Sequence, residues 1–156
     1  MKAFSLTNTK SFMSKLLASE IFDDYLVCEV TIKTFNTFNI DCRIVPEYYD
    51  DYEFGYEYSL WKDIRPIAFD LIKGRTLPVY CHFILQPKPE ETERILKLGG
   101  LSVKNDSLKT LTLNIKYINN EVTLITATSY NTFCTDRSAD QIWDEYMSRF
   151  ISTNLE

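Results

Sequence analysis

Glycine is scarce in this chain: four among 156 residues, Gly55, Gly74, Gly99 and Gly100. Loops that cradle phosphates or dinucleotides need several closely spaced glycines so that backbone N–H groups can approach the anion. Neither Gly-x-Gly-x-x-Gly nor a Gly-Lys-Ser/Thr phosphate loop occurs, and the Gly-x-Ser-x-Gly elbow of serine hydrolases is missing too. His82 is the one histidine. Nowhere do about 18 uncharged apolar residues run together, which excludes a membrane-spanning helix. The stretch Ala3 to Thr9 turns polar too early for the apolar centre of a secretion signal, so a cytoplasmic location with no membrane partner is expected. Cys28, Cys42, Cys81 and Cys134 lack Cys-x-x-Cys spacing, and three of them sit in apolar alternation. They read as small core residues of a reducing compartment, and no cofactor or metal is expected.

What is present is an ordinary globular composition, 45% hydrophobic and 25% charged, with ten Phe and ten Tyr. A chain of this length buries enough surface to fold as one domain without staples. One domain over residues 1–156 is expected.

Apolar spacing predicts the elements. Asn8 or Thr9 caps a helix carrying Phe12, Met13, Leu16 and Leu17. Leu26 to Ile32 and Phe38 to Ile44 alternate as two strands joined near Asn36. A turn around Trp61 precedes a helix with Pro66 in its first turn, ending at Gly74. Leu77 to Gln86 reads as a buried strand, and Pro89 to Leu98 as a helix stopped by Gly99 and Gly100. Leu111 to Tyr117 and Val122 to Thr128 alternate about Asn119-Asn120, residues that accept the positive φ of a two-residue hairpin turn. Ser138 with Gln141 forms a capping box for a last helix carrying Ile142, Trp143, Tyr146, Met147, Phe150 and Ile151. The expected fold class is α+β, a mainly antiparallel sheet with helices packed on it.

Glu29-Val30-Thr31-Ile32 and the following Thr34 to Asp41 are echoed by Glu121-Val122-Thr123-Leu124 and Ser129 to Asp136, with Asn, Thr, Phe and Asp at matching offsets. A pseudo-duplicated domain of two strand-helix-hairpin-helix halves, 1–75 and 76–156, is one reading, and chance in strand-and-turn composition is the other. Asp41 with Arg43 and Asp136 with Arg137 close the two copies, and Asn36 and Asn131 occupy matching places. Each Asp reads as a turn or helix cap with a locally paired Arg, or else the two copies converge on a shared polar site.

Glu47, Asp50, Asp51, Glu53 and Glu57 alternate with Tyr48, Tyr49, Tyr52, Tyr56 and Tyr58 without a basic residue among them. These five acids equal the net charge of −5 for the whole chain, so the remainder is balanced. Like charges at this density resist burial, which predicts an exposed loop. Its tip, with Tyr49, Asp50, Asp51, Tyr52, Glu53 and Tyr56, is a candidate contact surface for a basic protein partner. The offsets do not match a calcium loop.

Cys81 and His82 are neighbours on a predicted strand and so point to opposite faces, which argues against a cysteine–histidine pair. Lys33 to Phe38 interleaves basic and aromatic residues as base-stacking surfaces do, but lacks the flanking residues of the RNA-recognition signature. Asp41, Asp136 and Glu29 would be the carboxylates of a metal-dependent enzyme if the fold gathered them.

Phe22, Thr34-Phe35-Asn36-Thr37-Phe38, Ile40-Asp41, Trp61, Arg65-Pro66, Leu71-Ile72-Lys73-Gly74 and Trp143-Asp144-Glu145-Tyr146 together resemble a family of short clostridial proteins of unknown function. The resemblance spans nearly the whole chain and implies a bacterial cytoplasmic setting, with no functional residues to carry over. In outline the element order is also similar to the sliding-clamp architecture, although a clamp needs a basic helix face and the first helix offers only Lys10 and Lys15. The leading expectation is a non-catalytic binding or accessory protein with an unidentified protein partner. The alternatives are a nucleic-acid-associated, clamp-like protein that forms an oligomer, and a carboxylate-dependent enzyme.

Overall fold

The structure, a computed structural model, describes residues 1–51, 55–101, 108–131 and 136–155. Its elements are β1 (Ala3–Ser5), α1 (Thr9–Ala18), β2 (Leu26–Lys33), β3 (Thr37–Asp41), β4 (Ser59–Leu60), α2 (Trp61–Ile72), β5 (Tyr80–Gln86), α3 (Pro89–Leu98), β6 (Leu108–Ile118), β7 (Glu121–Tyr130) and α4 (Ser138–Asn154). The fold is α+β, as the pattern predicts. Among the described residues the strands form one seven-stranded antiparallel sheet in the order β1-β7-β6-β5-β2-β3, with β4 paired to the start of β2.

Alternation along the strands decides the layers. Phe83 and Leu85 of β5 and Leu111, Leu113 and Ile115 of β6 are fully buried, while His82, Ile84, Thr112 and Asn114 between them are half-buried on the reverse face. The buried face meets the helices: Phe12 and Leu16 from α1, Trp61 and Ala68 from α2, Ile95 from α3, and Trp143, Met147 and Ile151 from α4 join it in the hydrophobic core. Gly99 lets α3 close on α4, since a Cβ there would stand 2.5 Å from the Ile142 side chain.

Several local signals act as the sequence implies. Asn8 caps α1 by accepting from the Ser11 N–H at 3.0 Å. Asn119 and Asn120 hold φ of 52° and 63°, the turn that matches the strand twist of the β6–β7 hairpin.

Other boundaries move. Helix α2 starts at Trp61 rather than at Pro66, because the Trp61 N–H donates to the Tyr25 carbonyl at 2.8 Å and its indole N–H donates to the Leu16 carbonyl at 3.0 Å. Pro66 lies inside the helix on its exposed side, where it removes one intrahelical N–H donor. The N-cap of α4 is Arg137, and the Asp136 carboxylate just before it accepts from both the Ser138 N–H (2.9 Å) and hydroxyl (2.7 Å), in place of a Ser138–Gln141 box. Strand β5 begins at Tyr80, leaving Leu77 and Val79 outside it and exposed. Strand β3 stops at Asp41, with Arg43 continuing as an isolated bridge to Tyr58. Strands β1 and β4 are too short to show periodicity in the sequence.

Each half of the chain does run strand, helix, hairpin, helix, with β4 added in the first. Their pairings differ: β5 lies beside β6 of its own half, whereas β1 lies beside β7 of the other. The first echoed segment spans the β2–β3 hairpin; the second runs along β7, and its residues 132–135, Cys134 among them, lie outside the described residues.

Asp23, 9% exposed, accepts a two-pronged ion pair from Arg65 at 2.8 and 2.9 Å, tying the turn after α1 to α2. Removing the Trp61 indole would open a cavity and orphan the Leu16 carbonyl. Trp61→Ala is expected to lower the unfolding free energy by about 3–5 kcal/mol in urea titration; a loss below about 1 kcal/mol would contradict this placement of the indole.

Candidate functional site

Beyond Asp41 the chain leaves the sheet, and its two limbs stay together through Arg43 and Tyr58 and through the Ile44 N–H donating to the Glu57 carbonyl at 2.9 Å. Between them lies the acidic tyrosine segment. A short 3-10 turn over Pro46–Tyr48 sets Tyr48 and Tyr49 edge to face, ring centroids 5.4 Å apart. Tyr48 is 83% exposed, and Tyr49, Asp50 and Asp51 are exposed as well. Tyr52 and Glu53 lie outside the described residues. Tyr56 is half-buried: its hydroxyl donates to Glu90 at the start of α3, and the Lys88 ammonium sits 5.9 Å from its ring centre. That hydrogen bond holds the Glu90 carboxyl below its ordinary range and raises the tyrosine.

Behind Tyr56 and Tyr58 is a cleft of about 640 Å³ between this segment, α3 and the end of the sheet. Leu26, Ile84 and Leu96 supply apolar surface, Gln86 and Thr110 supply polar groups, and Glu57 and Glu93 bring two negative charges against the one positive charge of Lys109. The Gln86 side-chain carbonyl accepts from the Cys28 thiol at 3.4 Å and from the Thr110 hydroxyl at 3.3 Å. Residues from β2, β5, α3 and β6 thus meet at one place that no linear motif marks. The only sequence signals were the acids and tyrosines on its rim.

The echoed polar residues stay apart. Asn36 sits in the β2–β3 turn, while Asn131 follows the far end of β7, at the opposite end of the sheet. Three strands separate β3 from β7, about 19 Å at normal strand spacing. Asp41 and Asp136 share a local geometry instead: each carboxylate accepts from the N–H two residues on, Arg43 at 3.0 Å and Ser138 at 2.9 Å. Arg43 pairs with Glu57 at 3.9 Å and Arg137 with Asp140 at 3.6 Å.

Among the described residues no three His, Cys, Asp or Glu side chains gather where they could hold a metal, so Glu29, Asp41 and Asp136 form no such cluster. Cys81 faces the core and His82 the open face, where its Nε2 lies 3.0 Å from the Asn114 side-chain oxygen. Burial pushes the thiols of Cys28, Cys42 and Cys81 up, to about 11, about 12 and about 12. No helix among the described residues is long and apolar enough to cross a membrane.

A family model described as a family of unknown function (DUF5721) matches residues 15–155. The chain belongs to the DUF5721 family. No curated protein and no solved structure matches it. The DUF5721 match takes in the acidic segment, the cleft and every element from the middle of α1 onward.

Two expectations follow for this DUF5721 chain. In native protein at mildly alkaline pH, Cys28, Cys42 and Cys81 should resist alkylation, and unfolding should expose them; peptide mapping by mass spectrometry reads this directly. Rapid native labelling of Cys81 would contradict its burial. Asp140, in the first turn of α4, is destabilised in its ionised form by burial, but the Thr128 and Tyr130 hydroxyls and Arg137 more than offset this and lower its pKa. A carboxylate depressed in the folded state adds stability above its unfolded pKa, about 4, and loses it as pH falls through the folded value. Asp140→Asn should therefore be less stable at neutral pH and show a flatter loss of stability below about pH 4, measured by denaturation across pH.

Proposed function

We propose that this protein is a non-catalytic binding or accessory protein of the bacterial cytoplasm, and that its binding site is the acidic end of the molecule. The observation that carries this reading is the cleft of about 640 Å³ beside the acidic tyrosine segment, with Glu57 and Glu93 at an apolar surface built by Leu26, Ile84 and Leu96. Tyr56 and Tyr58 on the rim of the cleft add aromatic contact area at low entropic cost. The matching partner is a protein segment carrying Lys or Arg beside an apolar residue. Carboxylates steer such a partner and speed its encounter, and the apolar surface retains it.

A nucleic-acid reading draws on the open sheet face. Lys33, Tyr80, His82 and Lys116 fall on that side, and the Lys33 ammonium lies 5.2 Å from the Tyr80 ring centre. It would give binding that weakens steeply with salt and is lost in Lys116→Glu.

The test is fluorescence anisotropy with labelled peptides of alternating Lys and Leu, and acidic peptides of equal length as controls. Basic peptides are expected to bind, weaken with salt, and lose about tenfold or more in affinity in Glu57→Lys/Glu93→Lys, with folding verified by circular dichroism. Equal affinity in that variant would remove the cleft from the account; preferential binding of single-stranded DNA or RNA would favour the open face.

A further inference from the structure

At the other end of β2 the surface changes character. The β2–β3 turn, the end of α2 and the segment leading into β5 enclose a groove of about 500 Å³. Phe35 is 84% exposed, Leu77 65% and Val79 64%, a large apolar area for residues with no covering element. Lys73 and Arg75 line it and are exposed, and Asp70, which pairs with Lys73 at 3.1 Å, is the one acid among the groove's residues. The Thr34 hydroxyl lines the groove, buried and without a hydrogen-bond partner. In a chain of net charge −5, a basic and apolar groove stands out.

The complement of this surface lies in the same sequence. Val45, Tyr48 and Tyr49 are exposed apolar and aromatic side chains, with exposed Glu47 between the first two and exposed Asp50 and Asp51 following. They project from the end of the sheet where β2 begins, whereas the groove lies where β2 ends, about 23 Å away along an eight-residue strand. One molecule cannot satisfy both surfaces with itself. We propose that the groove receives the acidic tyrosine segment of a second copy of this chain, in a head-to-tail contact. The inference rests on the reading of the acidic segment as a contact surface, and it names one occupant for residues 45–51 while leaving the cleft to the basic partner. Because the two patches differ, the contact is heterologous, and repetition produces a closed ring or an open filament. Lys73 and Arg75 meet the carboxylates, the aromatic rings cover Phe35, Leu77 and Val79, and the tyrosine hydroxyls reach the Thr34 hydroxyl.

Sedimentation velocity across protein concentration tests this, with two variants whose substitutions are all at exposed positions. Lys73→Glu/Arg75→Glu makes the groove acidic, and Asp50→Lys/Asp51→Lys makes the segment basic. The wild-type chain should associate beyond its 18.3 kDa monomer at low salt and dissociate as salt rises. Each variant alone should associate at least about tenfold more weakly, and an equimolar mixture should recover association, since both contacts then join opposite charges. Phe35→Ala should weaken association without changing the thermal melt. A wild-type chain that stays monomeric at every concentration overturns the proposal, as does association unchanged in both variants. Acidic-peptide binding by a monomeric wild type would hand the groove to a different occupant. Basic-peptide binding at the cleft, measured on the same monomeric protein, would show that only the self-association has failed.

Discussion

Two indole N–H groups are donated to main-chain carbonyls inside the apolar core: Trp61 to Leu16 at 3.0 Å and Trp143 to Thr112 at 2.9 Å. Both rings are fully buried. A buried indole gains its large hydrophobic stabilisation only if its one donor finds a partner, and the available partner fixes where the ring can sit. Trp61 thereby sets the start of α2 against α1, and Trp143 sets α4 against the middle of β6. With those helices in place, one face of the sheet is sealed. The reverse face is left with the half-buried polar side chains Asn114, His82 and Thr31 that alternation gives it.

A core concentrated on one face leaves the two ends of the sheet for contact. They differ in charge because their loops come from different parts of the chain. The end where β2 begins carries the acidic tyrosines and the cleft under α3; the end where β2 finishes carries Lys73 and Arg75 beside exposed apolar side chains. Loops held on a rigid scaffold are where binding concentrates, since side chains there are free of packing duties yet held in place by the strands they join. The Arg43–Tyr58 bridge and the Tyr56–Glu90 hydrogen bond do this for the acidic segment.

The sequence was most legible where one residue type has one conformational use. Asn119-Asn120 announces a hairpin because few other residues accept positive φ twice in succession, and the stripe through Trp143, Met147 and Ile151 is too regular for anything but a helix. Legibility failed where a distant partner decides. Trp61 begins a helix because Tyr25 and Leu16 await its donors, which Pro66 five residues later conceals. Leu77 and Val79 look like the start of a buried strand, and only the register of β5 shows that they stand outside it. The acidic segment was visible from charge alone, whereas the cleft behind it, drawing on residues from Leu26 to Ser129, was not. The two echoed Asp residues converge in local geometry and not in space.

The central claim is that the acidic end is where this protein holds its partner. Backbone amide chemical-shift mapping by NMR, during titration with a Lys- and Leu-containing peptide, tests it most directly. The account predicts perturbations confined to Tyr56–Tyr58, Gln86 to Leu96 and Lys109 to Thr112. Perturbations concentrated on the open sheet face, around Thr31, His82 and Lys116, would contradict it.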